Sequence, residues 1–284
     1  MNIEEKQKLT SAWFKELRDK ICTEFEEIEL EFSAKNPQKN NLTAGKFERK
    51  KWNRDGGGGG EISLMKGIVF EKVGVNISTV FGSFSDEFKV QIPGASENPN
   101  FWASGISLVA HMNSPLVPAI HMNTRFICTE KNWFGGGTDL NPMIENKKET
   151  ADFHEILKKT CDKYDENYYP KFKKTCDEYF FIKHRNESRG VGGVFYDYLN
   201  SDNFENDFNF TKDIGRAFLE IFAKLVRDNM FKNWNESQRE IQLIKRGRYT
   251  EFNLLYDRGT KFGLMTNGNP EAILMSLPPI AKWS

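Results

Sequence analysis

Leu9, Trp13, Leu17, Ile21 and Phe25 recur every four residues between charged positions, and this spacing predicts an amphipathic helix near the start of the chain. A polar stretch over residues 36–51 leads into Trp52-Asn-Arg-Asp55 and five glycines, Gly56 to Gly60. The glycine run reads as a flexible loop, or as a loop whose bare backbone lets a ligand come close. Apolar and β-branched segments at 67–71, 75–81, 106–111 and 120–128 predict four strands, the last two joined through Pro115 and Pro118. Residues 149–184 carry a helical pattern with a break at Tyr169-Pro170, and a second helix is predicted over 214–228. Residues 249–256 and 273–276 read as extended. Strands early, helices in the middle and extended segments late predict one α+β domain over residues 1–284, with 1–35 as an N-terminal helical region. A near-repeat, Lys-Lys-Thr-Cys-Asp-Lys-Tyr at 158–164 and Lys-Lys-Thr-Cys-Asp-Glu-Tyr at 173–179, has its copies about four helical turns apart, so that a continuous helix would face them one way; a two-copy echo is too short for a solenoid and is read as chance.

Composition narrows the function classes. Lys and Arg total 40, as do Asp and Glu, so the basic excess of a non-specific nucleic-acid binder is missing. The four cysteines, Cys22, Cys128, Cys161 and Cys176, show no CxxC spacing, which leaves zinc-ribbon and thioredoxin-type sites unsupported. An acidic, polar start and the lack of any apolar run of about 18 residues predict a cytoplasmic chain with no membrane span. Gly-Val-Gly-Gly at 190–193 lacks the dinucleotide-binding spacing, and no P-loop, HExxH or GxSxG occurs.

The candidate chemistry lies in the middle of the chain. All four histidines, His111, His121, His154 and His184, fall within residues 111–184. Strand alternation puts His121, Asn123 and Arg125 on one face, and Ser107, Val109 and His111 on one face of the preceding strand. A hairpin would let these polar faces adjoin in a site, which is favoured over the alternative of a solvent-facing sheet side. Arg185, Arg189, Arg246, Arg248 and Arg258 suit a substrate with several carboxylates, because guanidinium grips carboxylate in a fork.

Five strings, in order, closely resemble aerobic, oxygen-dependent coproporphyrinogen III oxidase: Ala103-Ser-Gly-Ile-Ser-Leu-Val-Ala-His111, Pro118-Ala-Ile-His-Met-Asn-Thr-Arg125, Trp133-Phe-Gly-Gly-Gly-Thr-Asp-Leu140, Tyr179-Phe-Phe-Ile-Lys-His-Arg-Asn-Glu-Ser-Arg-Gly-Val-Gly-Gly193 and Arg246-Gly-Arg-Tyr-Thr-Glu-Phe-Asn-Leu-Leu-Tyr-Asp-Arg-Gly-Thr260. The resemblance runs from Trp52 to Trp283. It implies an oxidoreductase of haem biosynthesis that converts two propionates of coproporphyrinogen III to vinyls with O2 as co-substrate, giving protoporphyrinogen IX. It implies a large antiparallel sheet covered by helices on both faces, and a homodimer whose contact includes residues 249–284. It also implies no haem, flavin or NAD, and a possible divalent metal.

Carried over by position, the resemblance makes His121 the proton donor and Asp139 the acid that engages the pyrrole nitrogens. Ser107, Asn123, Thr124, Arg125, Asn267, Gly268 and Asn269 become substrate contacts, and His111, His121, His154 and His184 become ligands of the metal. The chain departs from the family at Asn141, at Tyr196-Asp197-Tyr198, at Asn269 and in ending at Ser284. A histidine-ligated metalloenzyme of another class and a tetrapyrrole-binding module without chemistry remain as rival readings.

Overall fold

Period-two alternation between residues 48 and 199 builds a seven-stranded, wholly antiparallel sheet in a computed structural model that describes residues 1–36, 43–265 and 268–283. Strands β1 (Glu48–Asn53), β2 (Gly58–Met65), β3 (Phe70–Ser83), β4 (Asn100–Met112), β5 (Ala119–Cys128) and β6 (Asn132–Asn141) follow as a meander. A small ribbon, β7 (Phe181–Ile182) with β8 (Glu187–Ser188), stands apart, and β9 (Gly193–Leu199) closes the edge beside β6. The helices are α1 (Ile3–Lys35), α2 (Asp86–Lys89), α3 (Lys147–Asp162), α4 (Tyr168–Tyr179), α5 (Phe204–Asn229), α6 (Glu236–Leu255), α7 (Arg258–Met265) and α8 (Pro270–Leu274).

One sheet face is apolar and carries Val75, Leu108, Met122 and Val194 in register. It meets Phe14, Leu17, Ile21 and Phe25 of α1 and Phe218 and Phe222 of α5 in the main core. Phe25 stacks on Phe70 at 4.6 Å, with Phe222 edge-on at 5.6 Å. The helix opens with a reciprocal cap: Glu5 N donates to Asn2 Oδ1 and Asn2 N donates to Glu5 Oε2, both at 2.9 Å. Its buried Glu29 accepts backbone N–H bonds from Gly45, Ile68, Val69 and Phe70 at 2.7–3.1 Å. That carboxylate fixes the β2–β3 turn, whose amides would otherwise be buried without acceptors.

The opposite face carries Asn76, Ser107, Asn123 and Gly137 in register, next to Gly74, Val109, His121 and Asp139. The two polar strand faces foreseen for β4 and β5 therefore adjoin. α6 covers one end of this face through Tyr249 and Phe252, and Ala272 and Met275 pack on Ile62. Gly74 gives Met275 its seat, because a Cβ there would lie 2.8 Å from the Met275 sulfur. The middle of the face, around Ser107, Asn123 and Arg125, stays half-buried and open. Helices thus cover both sides of an α+β fold, as expected.

Several expectations need correction. Residues 249–256 are not extended: they end α6, whose buried Gln242, Leu243, Arg246, Tyr249, Phe252 and Asn253 follow a helical period that polar members hide from a hydrophobic reading. Residues 273–276 are the end of α8 and a turn rather than a strand. The strands predicted at 67–71 and 75–81 are one strand, β3, preceded by a turn. Only Gly56 and Gly57 form a turn; Gly58 to Gly60 belong to β2. The helical stretch stops at Tyr179, so His184 lies in the β7–β8 turn, and the two repeat copies sit in separate helices.

Candidate active site

His121 and Asp139 face each other as register partners on β5 and β6, with His121 Nδ1 2.8 Å from Asp139 Oδ1. Donor chemistry fixes the imidazole's tautomer. Arg125 Nη1 donates to Asn123 Oδ1 at 3.2 Å, and guanidinium has no acceptor, so the Asn123 amide nitrogen must point the other way. That nitrogen lies 3.0 Å from His121 Nε2, which therefore accepts, while Nδ1 carries the proton and donates to Asp139. In this arrangement Nδ1 faces Asp139 and Nε2 faces the Asn123 amide on the half-buried side of the sheet.

Asp139 is only 1% exposed and both its oxygens are engaged. Arg189 Nη2 bridges the two at 2.7 Å each, and Asn141 Nδ2 donates to Oδ2 at 2.9 Å. Burial works against the charged carboxylate, but the Arg189 charge and the bonds from His121 and Arg189 outweigh it and hold its pKa at about 2. The acid is thus a buried anion in contact with His121.

The guanidinium reaches it because of the turn that follows. Val191 N donates to Leu140 O at 2.9 Å and Leu140 N to Gly192 O at 3.0 Å, which docks residues 190–193 on the end of β6. Gly190 is required there, since a Cβ would run into Leu140 O. Arg189 itself lies between the rings of Phe180, Tyr249 and Phe252 at 4.0, 4.5 and 4.8 Å. Its Nη1 donates to Asn253 Oδ1 at 2.9 Å, Asn253 Nδ2 donates to Ser276 Oγ at 3.3 Å, and Ser276 O lies 2.9 Å from His111 Nε2. Sequence reading noticed Arg189 only as one arginine among several, and missed Asn253 and Ser276 altogether. The available signal was a lone arginine directly before a glycine-rich turn.

Other expected residues divide clearly. Ser107, Asn123 and Arg125 share the His121 face, and Arg125 pairs with Asp197 at 3.0 Å. Thr124 is fully buried on the opposite face, in register with Ile106 and Gly136, so its side chain points away from His121. Asn269 spends its side-chain oxygen capping α8, accepting from Glu271 N and Ala272 N, and Gly268 N donates to Gly263 O. Asn267 lies outside the described residues. Arg185 and Arg248 bind Glu251, Arg246 binds Glu71, and Arg258 stacks on Tyr179 at 4.9 Å.

The four histidines do not converge. His111 is fully buried against Tyr249, and burial pushes its pKa down to about 3. His154 is held by Val191 O at 2.9 Å and Tyr169 OH at 3.0 Å. His184 lies between Tyr256 OH at 2.8 Å and Glu251 at 2.6 Å. Among the described residues no group of three or more His, Cys, Asp or Glu side chains could hold a metal ion. The donor set within one chain therefore does not fit a four-histidine metal centre.

The family model described as coproporphyrinogen III oxidase matches residues 9–284. The chain is 62% identical over 278 residues to the oxygen-dependent coproporphyrinogen-III oxidase of Rickettsia bellii, spanning 98% of each chain. It is 62% identical over 284 residues, all of each chain, to the proteins of that name from Rickettsia africae and Rickettsia conorii. With the His121–Asp139 pair and the five strings lying around one sheet face, the full-length match shows that the chain belongs to the coproporphyrinogen III oxidase family.

Proposed function

We propose that the protein is an oxygen-dependent coproporphyrinogen III oxidase, acting on two propionates of coproporphyrinogen III in haem biosynthesis. For each arm, –CH2–CH2–COOH and O2 become –CH=CH2, CO2 and H2O2, so oxygen takes up the two electrons and two protons released. The observation that carries the residue roles is the His121–Asp139–Arg189 row ending at the open sheet face. His121 presents Nε2 as a proton acceptor once substrate displaces the Asn123 amide, and returns that proton as a donor. Asp139 acts through His121: it holds the Nδ1 proton and stabilises the imidazolium, while Arg189 keeps the carboxylate ionised. Ser107, Asn123 and Arg125 bind the substrate's polar arms, and Thr124 contributes main chain only.

Exposed Leu254, Leu255, Leu264 and Met265 in the 249–284 segment support a homodimer contact there. No helix among the described residues is long and apolar enough to cross a membrane. Turnover of coproporphyrinogen III, in air and under nitrogen, each with and without a chelator, tests the reading. Product is expected in air only, at a rate the chelator leaves unchanged. No product in air from folded protein overturns the activity, and loss of product with chelator overturns the metal-free roles given to the histidines.

A further inference from the structure

We infer that Asn76, oriented by Trp52, donates its side-chain amide together with the Ser107 hydroxyl to a substrate carboxylate, forming a binding site for a non-reacting propionate distinct from Arg125. The inference rests on the oxidase reading for the identity of its ligand.

Trp52 belongs to edge strand β1, yet its ring lies across β2: a Cβ on Gly60 would meet Trp52 Cζ2 at 2.6 Å. The glycine is what lets the indole lie flat and reach β3, where Trp52 Nε1 donates to Asn76 Oδ1 at 3.2 Å. Indole N–H can only donate, so the oxygen of the Asn76 amide must face Trp52 and the NH2 must face the other way. On that other side, in register, stands Ser107. Directly paired side chains on antiparallel strands have Cβ atoms about 4.5–5.5 Å apart. Neither the Asn76 amide nitrogen nor the Ser107 hydroxyl has a hydrogen-bond partner among the described residues, and both are half-buried.

Two donors, a fixed amide and no fixed acceptor between them make a site for an acceptor-only group, and an ionised carboxylate is that group. Arg125 does not already serve this place. It lies on β5, two strands from β3 and so about 10 Å away, with its guanidinium engaged by Asp197 and Asn123. A substrate with several carboxylates needs more than one such hold, and His121 stands on the row next to Ser107 and Asn123. One propionate held at Asn76 and Ser107 leaves another free to lie against His121.

The test is equilibrium binding of coproporphyrin III, the stable tetracarboxylate, and of its tetramethyl ester, to the full-length wild type and to Asn76→Ala, Asn76→Asp and Trp52→Phe. Loss of one charge-assisted hydrogen bond predicts about tenfold weaker binding of the tetracarboxylate to Asn76→Ala. Asn76→Asp, which is isosteric but repels a carboxylate, is expected to weaken it further, and Trp52→Phe, which frees the amide to turn, by about threefold. The ester, having no carboxylate, is expected to bind all four proteins within about twofold of one another. Equal binding of the tetracarboxylate to wild type and Asn76→Asp overturns the inference, as does an equal loss with acid and ester. Wild-type turnover, measured alongside, separates failure of this site from failure of the oxidase reading. Thermal melts within a few degrees of wild type show that the variants fold.

Discussion

Replacing Arg189 with Met removes a 2%-exposed guanidinium from Asp139 and leaves a 1%-exposed carboxylate with no opposite charge. Two routes to the cost agree. Breaking one side of a buried ion pair costs about 3–5 kcal/mol. If the carboxyl escapes instead by taking up a proton at pH 7, an acid of ordinary pKa 3.8 requires about 4 kcal/mol. For 284 residues the unfolding entropy near the melting point is about 600 cal/mol/K, so the loss lowers Tm by about 5–8 °C. Calorimetry of Arg189→Met and of Arg189→Met/Asp139→Asn checks this. The double variant has no buried charge to strand, so it is expected to recover at least half of the lost stability. Activity behaves differently: the double variant has no anion to hold the His121 Nδ1 proton and is expected to fall at least about 100-fold in kcat, as is the single variant where its carboxyl has taken up a proton. A single variant that melts within 2 °C of wild type, or a double variant no more stable than the single, refutes the ion-pair account. A double variant that regains activity refutes the role given to Asp139.

Two further outcomes follow from the same geometry. His111 is held neutral in the fold, at a pKa of about 3 against the ordinary 6.5, mainly by burial. The unfolded chain therefore binds more protons below pH 6.5, and stability is lost as pH falls from 6.5 towards 3, at up to about 1.4 kcal/mol per pH unit. His111→Gln, which does not titrate, is expected to lose about 2–3 kcal/mol less than wild type between pH 6.5 and 4.5 in urea titrations; parallel curves count against it. Glu251 accepts bonds from His184, Arg185 and Trp283, and the Arg185 and His184 bonds hold its pKa at about 2. Glu251→Gln is expected to speed hydrogen exchange at Lys282, whose N–H bonds Leu243 O at 3.0 Å, and an unchanged rate would show that the tail is held by its backbone contacts alone.

Local period and local chemistry were legible in the sequence. The alternation over residues 106–128 placed Ser107, His121, Asn123 and Arg125 on one face, and β4 and β5 pair in the register that makes the polar faces adjoin. The α+β class followed from the order of periods, α1 from its apolar stripe, and the 214–228 part of α5 from its helical pattern. α6 was misread where its buried positions are polar, because Gln242, Arg246 and Asn253 carry no hydrophobic signal. What only the tertiary structure decided is which residues meet. The fifty residues between Asp139 and Arg189, and the sixty-four between Arg189 and Asn253, are closed by the docking of a glycine turn on β6 and of α6 on the sheet. Four histidines close in sequence are dispersed by strand, helix and turn, each to its own partner. A side chain's face is set by a period of two or 3.6 that the chain carries itself, whereas its partner is set by how separate elements pack, which no local pattern records.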